Sequence, residues 1–211
     1  MTYIENVLIC MASPLLIAAL CMGKRQTNFF LFCFAGMGMC LLSAYLNTFF
    51  AALYGADVFA ATVEIAPVVE EGMKLLPLLF YLVECEPQAR QIGIAAVITA
   101  LSFATFENIC YLIQNGAAHF SFIFFRGIGT GAMHVICGAI VGGGLAYVWR
   151  QTWLKIAGTC GLLGAAITFH AIYNLLIAYG GTAQYIAYLL PVGILAAGKL
   201  IFLFFLKKFD F

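Results

Sequence analysis

The chain of 211 residues is strongly apolar, with 64% hydrophobic and only 9% charged residues. Soluble domains carry about 25% charged residues, so this composition excludes an ordinary soluble protein and indicates a polytopic membrane protein. The formal net charge of +1 leaves no basic surface for nucleic acid and excludes that class of partner. The sequence therefore predicts an all-α fold in the lipid bilayer, with residues 1–211 forming a single transmembrane helical domain.

Seven apolar stretches are each long enough to cross a bilayer, which takes roughly 20 helical residues. Hydropathy predicts these spans at residues 3–22, 28–54, 60–83, 91–113, 122–149, 153–179 and 183–206. The connections between them are short, so we expect consecutive helices to be antiparallel neighbours.

Basic residues cluster in the predicted connections on one side of the membrane. They follow the first, third, fifth and seventh spans, and the connections on the other side contain no lysine or arginine. The seven residues are Lys24, Arg25, Arg90, Arg150, Lys155, Lys207 and Lys208. Because cytoplasmic connections are enriched in Lys and Arg, this pattern predicts an N-terminus outside and a C-terminus in the cytoplasm.

The eight cysteines lie mostly within the apolar spans, and no C-x-x-C pair occurs. This arrangement is unlike a disulfide or zinc framework. We interpret the cysteines as small apolar residues buried between helices.

The third predicted span contains a group of three charged residues, Glu70, Glu71 and Lys74, in a mostly apolar run. Each charge costs roughly 2.5–3.5 kcal/mol near the bilayer centre on the insertion scale. Lys74 is four residues from Glu70 and three from Glu71, so it can reach either carboxylate. Two carboxylates this close resist joint ionisation, and Lys74, a metal ion or a shared proton must relieve them. A structural ion pair between helices is the alternative interpretation.

Each of the next three spans also carries polar side chains. The fourth has Glu107 and Tyr111 on one face, the fifth has His134, and the sixth has His170 with Asn174 four residues later. Five side chains of these spans lie at a similar depth, about 9–20 Å from the predicted outer surface at 1.5 Å per residue: Glu70, Glu71, Glu107, His134 and His170. This agreement predicts one buried polar chamber in the outer half of the membrane.

Two structural interpretations accompany this prediction. Glu107 could simply pair with Arg126 or Lys74, since charges inside a membrane normally find partners. In the fifth span, small residues four apart (Gly127 and Gly131, then Gly138 and Gly142) predict close helix packing, which would bring the histidine of that span near the third span.

The predicted chamber suits the activation of water. A glutamate can take a proton from water as general base, and histidines and Asn174 can donate to a developing oxyanion. Glu71, His134 and His170 could instead bind zinc and leave one position open for water. The H-E-x-x-H and G-x-S-x-G motifs are absent. Both mechanisms stay open on the residues alone.

These motifs resemble those of the PrsW family of intramembrane proteases, within the wider group that includes the CAAX-processing endopeptidases. Four blocks occur in the family's order on separate spans, within a motif-bearing core at about residues 60–180. The blocks are E-E-x-x-K (Glu70, Glu71, Lys74), F-x-x-x-E-N-x-x-Y (Phe103, Glu107, Asn108, Tyr111), Arg126 followed by His134, and H-x-x-x-N (His170, Asn174).

The resemblance implies hydrolysis of a membrane-anchored protein or peptide near the outer surface of a bacterial plasma membrane. PrsW-like enzymes are associated with site-1 cleavage of membrane-anchored anti-sigma factors, so that class of substrate is implied here.

Residue roles follow from the same resemblance. Glu70 or Glu71 would activate water, and analogy with the wider group favours Glu70. His134 and His170 would bind the oxyanion or a metal ion, with Asn174 assisting. The implied supporting residues are Lys74, Glu107, Asn108, Tyr111 and Arg126.

Two functions without proteolysis would use the same side chains. A membrane scaffold could retain the buried charges for assembly, and a transporter could use them to relay protons. We find no internal repeat of the kind that many transporters contain, and every motif residue expected of a protease is present.

Overall fold

The computed structural model describes residues 3–116 and 119–208, with side chains described at all of these except 24–26 and 201–208. Within these ranges the chain is helical and has no strand, which confirms the all-α prediction. The helices are α1 (Ile4–Cys21), α2 (Lys24–Tyr54), α3 (Val58–Ala60), α4 (Ala66–Cys85), α5 (Ala89–Asn115), α6 (Phe120–Val148), α7 (Lys155–Tyr179) and α8 (Gly181–Lys208).

Six helices of the described chain are long and apolar enough to cross a membrane: α1, α2, α5, α6, α7 and α8. Helix α4 has 20 residues but contains Glu70, Glu71 and Lys74, and it does not meet the same criterion of composition. The multi-pass membrane class is therefore supported. The crossing of the membrane by α4, and with it the count of about seven spans, stays a prediction.

Local sequence explains where the helices begin and end. Gly55 ends α2 with a φ of 61°, a left-handed conformation that glycine adopts without strain. The side chain of Asp57 accepts a hydrogen bond from the backbone N–H of Ala60 and caps the start of α3. Gln88 and Gln91 form a capping box at the start of α5.

A π-helical turn, Ala61–Ile65, joins α3 to α4, so the helical stretch runs from residue 58 to 85 with one widened turn. A 3-10 turn, Thr152–Leu154, precedes α7. Turns of the π type commonly occur beside functional sites. Here the turn lies about one helical turn before the charged residues of α4.

Helices α5 and α6 form the centre of the bundle, and glycine lets them approach closely. A Cβ added at Gly142 would overlap the Cβ of Ala96, and one added at Gly138 would come within 2.8 Å of the Cβ of Ala100. The predicted glycine packing is therefore present at this pair, but its partner is α5 rather than the third span. The other predicted pair, nearer the start of α6, has no described atom within 4 Å of an added Cβ.

The connections that carry the basic residues lie at one end of the bundle. Asn28, near the start of α2, and Arg90, near the start of α5, line the same cavity. Gln88, which precedes α5, lines a second cavity with Arg150 and Lys155 of the connection between α6 and α7. These connections lie together, as the charge pattern predicts. The side of the membrane that this end of the bundle faces stays a prediction.

The cysteine prediction is only partly right. All eight cysteines are free among the described residues, but only Cys40 and Cys137 are buried. The exposed ones are Cys10, Cys21, Cys85 and Cys160. Cys21 and Cys85 lie at helix ends. Within a span, an exposed side chain such as that of Cys10 faces lipid that is as apolar as a helix interface, so it need not pack against protein.

Candidate functional site

Polar side chains from four helices meet in the interior of the bundle. Helix α4 contributes three of them, and α5, α6 and α7 contribute one each. His134 is fully buried, and Glu71, His170 and Lys74 are at most 5% exposed. We refer to the following six side chains as the polar cluster: Glu70, Glu71, Lys74, Glu107, His134 and His170.

Glu71 is held between a lysine and a histidine. Its Oε1 atom accepts hydrogen bonds from Lys74 Nζ at 2.6 Å and from His170 Nδ1 at 2.7 Å. A buried carboxylate requires partners of this kind, since its desolvation is otherwise uncompensated. Because a carboxylate only accepts, His170 donates from Nδ1, and in the neutral imidazole its Nε2 atom carries a lone pair.

His134 has the opposite arrangement of donor and acceptor. Its Nδ1 atom lies 2.7 Å from Lys74 Nζ, and its Nε2 atom lies 2.8 Å from Glu107 Oε2. An ammonium group only donates, so Nδ1 accepts and the Nε2–H group donates to the carboxylate. Lys74 therefore links the carboxylate pair of α4 to the histidine of α6 and, through it, to α5.

Arg126 lies at the edge of the polar cluster, against Glu107. It donates from Nη2 to Glu107 Oε1 at 3.3 Å and from Nη1 to Thr130 Oγ1 at 3.1 Å. Its guanidinium carbon lies 3.8 Å from the ring centroid of Tyr111, a stacked cation–π contact. The structural pairing proposed for Glu107 is therefore present, together with the contact from the histidine of α6.

Glu70 differs from the other two carboxylates because one of its oxygens is unused. Its Oε1 atom accepts from Asn47 Nδ2 at 3.4 Å. Its Oε2 atom is buried with no hydrogen-bond partner in the described chain, and it lies 3.8 Å from His170 Nε2. Two acceptors that face each other need a proton, a water molecule or a cation between them.

The formal charges of this region also favour a proton or cation at Glu70. Three carboxylates face two permanent cations, Lys74 and Arg126, across the contacts described above. One negative charge is left over when all three carboxylates are ionised. Because an uncompensated charge is costly inside a membrane, the excess suits a bound proton or a metal ion.

Three side chains of the cluster could hold a metal ion. Glu70, His134 and His170 each offer a ligand atom, and these atoms lie within 4.8 Å of one another. A glutamate with two histidines is a common zinc set, and the bond from His170 to Glu71 is the carboxylate contact that orients a metal-bound histidine. His134 would have to exchange one of its two hydrogen bonds to become a ligand. The residues present fit a zinc ion.

The geometry differs from the metal set predicted from sequence, which contained Glu71. In the structure Glu70 takes that place, because Glu71 lies behind His170 and uses its Oε1 atom for His170 and Lys74. The difference follows from the angle of about 100° between adjacent residues on a helix.

A cavity of about 190 Å³ lies beside the cluster, between α2, α4, α5 and α6, with the first residue of α1 in its wall. Glu70, Glu107 and Arg126 line it together with apolar side chains such as Phe103 and Leu41. One water molecule needs roughly 10–15 Å³, so the cavity can hold several water molecules or a short piece of another chain.

Two predicted site residues lie outside these contacts. Asn174 Nδ2 donates to the backbone carbonyl oxygen of Thr62 at 3.0 Å, so it binds the π turn rather than a member of the cluster. Asn108 Oδ1 is buried and has no partner among the residues described. The four-residue spacing correctly indicated a shared face for His170 and Asn174, but spacing carries no information on what faces each side chain.

Sequence reasoning missed two polar residues of α2. Asn47 contacts Glu70, and Ser43, which is 1% exposed, lines the same cavity. A signal was present, since two polar residues four apart share one face of a long apolar helix. They were overlooked because serine and asparagine are less conspicuous in a membrane span than charged residues.

Comparison with known proteins identifies a family for this chain. The family described as PrsW family intramembrane metalloprotease matches residues 24–198, which include all six members of the polar cluster and exclude α1. No curated protein and no solved structure matches the chain. The match favours a protease over the scaffold and transporter alternatives, and it confirms the resemblance found in the motifs. The chain belongs to the PrsW family of intramembrane metalloproteases, a family of membrane proteases.

Proposed function

We propose that the protein is an endopeptidase of a bacterial plasma membrane that hydrolyses a membrane-anchored protein in the outer half of the bilayer. A membrane-anchored anti-sigma factor, cut at site 1, is the proposed class of substrate. The observation that carries this proposal is at Glu70, a residue that lines the cavity. Its buried Oε2 atom has no hydrogen-bond partner in the described chain and lies 3.8 Å from His170 Nε2.

Glu70 acts as general base in this proposal. A water molecule between Glu70 Oε2 and His170 Nε2 can donate one hydrogen to each, which leaves an oxygen lone pair for attack on the scissile carbonyl carbon. Glu70 takes the proton and later returns it to the leaving amine. Glu71 contributes indirectly, because its bond to His170 Nδ1 keeps the lone pair of Nε2 directed at the water.

The oxyanion needs a donor that reaches the cavity. Arg126 lines the cavity, and its Nε atom is buried without a partner in the described chain, so it is better placed than Asn174 for this role. Lys74 and His134 hold Glu71 and Glu107 in position through their hydrogen bonds.

A zinc-dependent version is the second candidate, and the grouping of Glu70, His134 and His170 within 4.8 Å favours it. Bound zinc would supply a Lewis acid that polarises the substrate carbonyl and activates water. In this version Glu70 is a ligand. Glu107, which also lines the cavity, would then accept the proton, provided that His134 gives up its hydrogen bond to Glu107 Oε2 when it binds the metal.

The test uses purified protein in lipid nanodiscs and a single-span reporter with a different fluorescent tag on each side of the membrane. Glu70→Gln should lower the cleavage rate by about 10²–10⁴-fold, the usual contribution of a general base. Glu64→Gln is the matched control, because Glu64 lies on the same helical stretch but is exposed. Fragment termini identified by mass spectrometry should lie in the outer half of the reporter's span. Full activity of Glu70→Gln would exclude the assignment.

A further inference from the structure

Most of the buried polar atoms without a partner in the described chain belong to residues that line one cavity. Within the described residues, six buried side-chain atoms lack a hydrogen-bond partner: Ser43 Oγ, Asn47 Oδ1, Glu70 Oε2, Thr99 Oγ1, Asn108 Oδ1 and Arg126 Nε. Ser43, Asn47, Glu70 and Arg126 all line the cavity of about 190 Å³. Unpaired buried groups are rare in native proteins, so four around one cavity indicate that the cavity receives a polar occupant.

Two of these residues belong to α2, which contributes nothing to the polar cluster. Ser43 and Asn47 are four residues apart and share one helix face. Ser43 is only 1% exposed. Asn47 Nδ2 donates to Glu70 Oε1 at 3.4 Å, which places the asparagine directly beside the proposed general base. Both residues of α2 therefore line the cavity beside Glu70, where the proposed mechanism needs the substrate.

The chemistry of the free atoms matches a peptide backbone. Asn47 Oδ1 can accept from an N–H group, Arg126 Nε can donate to a carbonyl oxygen, and the Ser43 hydroxyl can do either. The remaining wall is largely apolar, with Phe103 and Leu41 among its residues. Such a lining suits an extended segment that presents backbone polar groups on one side and an apolar side chain on the other.

A transmembrane substrate needs these partners at one particular moment. Its backbone groups bond to each other while it is helical, and the helix must open locally before the scissile carbonyl can be reached. The N–H and C=O groups that are freed have no water to bond to in the lipid. Partners supplied by the protease would offset that loss and stabilise the opened segment.

We propose that Ser43 and Asn47 of α2 bind the unwound backbone of the substrate's transmembrane segment next to Glu70. This inference rests on the proposed function and deepens it. It identifies the substrate class as membrane spans whose helix opens readily near the outer end, for example where glycine or serine interrupts an apolar run. In this assignment Ser43 and Asn47 are substrate-binding residues, and the proton transfer remains with Glu70.

The test measures binding separately from cleavage. Two synthetic peptides of about 24 residues, long enough to span a bilayer, have Leu/Ala sequences with flanking lysines. One is uninterrupted, and the other has Gly-Ser-Gly near its outer end. Binding is measured by fluorescence in nanodiscs with His170→Ala protein, which is blocked in catalysis by the proposed mechanism. His170 is not among the residues that line the cavity.

The interrupted peptide should bind about fivefold to tenfold more tightly than the uninterrupted one, the effect expected from one or two added hydrogen bonds. Introducing Ser43→Ala and Asn47→Ala into the His170→Ala protein should bring the ratio of the two peptide affinities close to one. Thr48→Ala is the matched control on α2, because its hydroxyl donates to Ala44 O at 2.9 Å and is not in the cavity wall. This control should leave the ratio unchanged.

A second measurement leaves the protein unaltered and so covers variants that fold poorly. Methylation of the backbone nitrogens of Gly-Ser-Gly removes the donors for Asn47 and should lower the ratio in the same way. A ratio that neither change affects, or equal binding of the two peptides, overturns the proposal and leaves the cavity as a water chamber.

The two proposals fail separately. Cleavage of the interrupted peptide by wild-type protein, with a binding ratio independent of Ser43 and Asn47, excludes the role of α2 and retains the hydrolysis. A ratio that depends on both residues without any cleavage supports the backbone site and contradicts hydrolysis of this class of segment.

Discussion

Glu70 and Glu71 are adjacent in sequence but have different surroundings. Glu71 Oε1 lies between Lys74 and His170, whereas Glu70 lines the cavity and its buried Oε2 atom has no hydrogen-bond partner among the described residues. Because the two side chains differ by about 100° around α4, one points into the charged network and the other towards the space where a substrate would lie. We therefore propose a structural role for Glu71 and a chemical role for Glu70.

This division predicts that the two glutamates contribute very differently to stability. Glu71→Gln leaves the buried Lys74 without its carboxylate and should lower the free energy of unfolding by about 3–5 kcal/mol, the usual result of breaking a buried ion pair. Glu70→Gln should change it by less than about 1 kcal/mol, because its Oε2 atom has no partner to lose. Thermal unfolding in nanodiscs, followed by tryptophan fluorescence, measures both. A larger loss in Glu70→Gln than in Glu71→Gln would contradict the assignment.

Metal content separates the two catalytic versions. If Glu70 is the general base, wild-type protein should contain far less than one zinc per chain by mass spectrometry and should cleave its substrate in the presence of a chelator.

His119→Ala serves as the control for a double variant of His134→Ala and His170→Ala, because His119 is exposed and precedes α6. Zinc near one per chain that persists in His119→Ala and disappears in the double variant would contradict the glutamate mechanism and establish the zinc version.

At the scale of helices, the site depends on how closely α5 and α6 pack. Gly138 and Gly142 lie against Ala100 and Ala96, and this contact brings the histidine of α6 within hydrogen-bond distance of α4 and α5. Small residues at such an interface let the backbones approach. The glycines therefore position the polar cluster without belonging to it.

Gly142→Ala should destabilise the protein by about 1–3 kcal/mol, because the new methyl group overlaps the Cβ of Ala96 in a packed core. Gly143→Ala is the matched control, since no described atom lies within 4 Å of its added Cβ. Alanine also favours the helix there, by up to about 1 kcal/mol. Thermal unfolding of the two variants should therefore shift in opposite directions. A shift of equal size and sign would exclude close packing as the reason for Gly142.

At the scale of the whole molecule, the helices differ in how far they are embedded in protein. About half of the apolar window is buried in α5 (50%) and in α6 (56%), but only 11% in α1. The polar cluster lies where the central helices meet α4 and α7, which keeps its charges away from lipid. The cavity extends from the cluster towards α2 and α1, and this is the side from which a membrane-bound substrate could approach.

Whether α4 crosses the membrane is a question for the whole molecule. A complete crossing by the stretch 58–85 places Tyr54 and Cys85 on opposite sides, with Cys85 in the cytoplasm by the positive-inside rule. We expect an impermeant maleimide added to intact cells to label Tyr54→Cys and not Cys85, each as the single cysteine of the chain. Both positions are exposed.

Cys137, which is buried, should react only after denaturation and is the control for leaking or unfolded protein. Labelling of Tyr54→Cys and Cys85 from the same side would show that α4 does not cross.

The sequence by itself determined the membrane class, the helices and the set of chemical groups. Apolar runs predicted helix ends closely, because a chain in lipid must satisfy its backbone within each helix. Charged residues inside those runs indicated the site, because a buried charge is too costly to persist without a role. The motif order was sufficient to identify the family.

Only the tertiary structure decided which of these groups contact each other. It joined Glu71 to His170, left Glu70 Oε2 without a partner in the described chain, and brought Asn47 of α2 against Glu70 Oε1. Contacts between helices depend on rotation and close packing of several segments at once, and spacing along one segment contains no information about them. For the same reason the sequence located Asn174 on the correct face but not against the π turn.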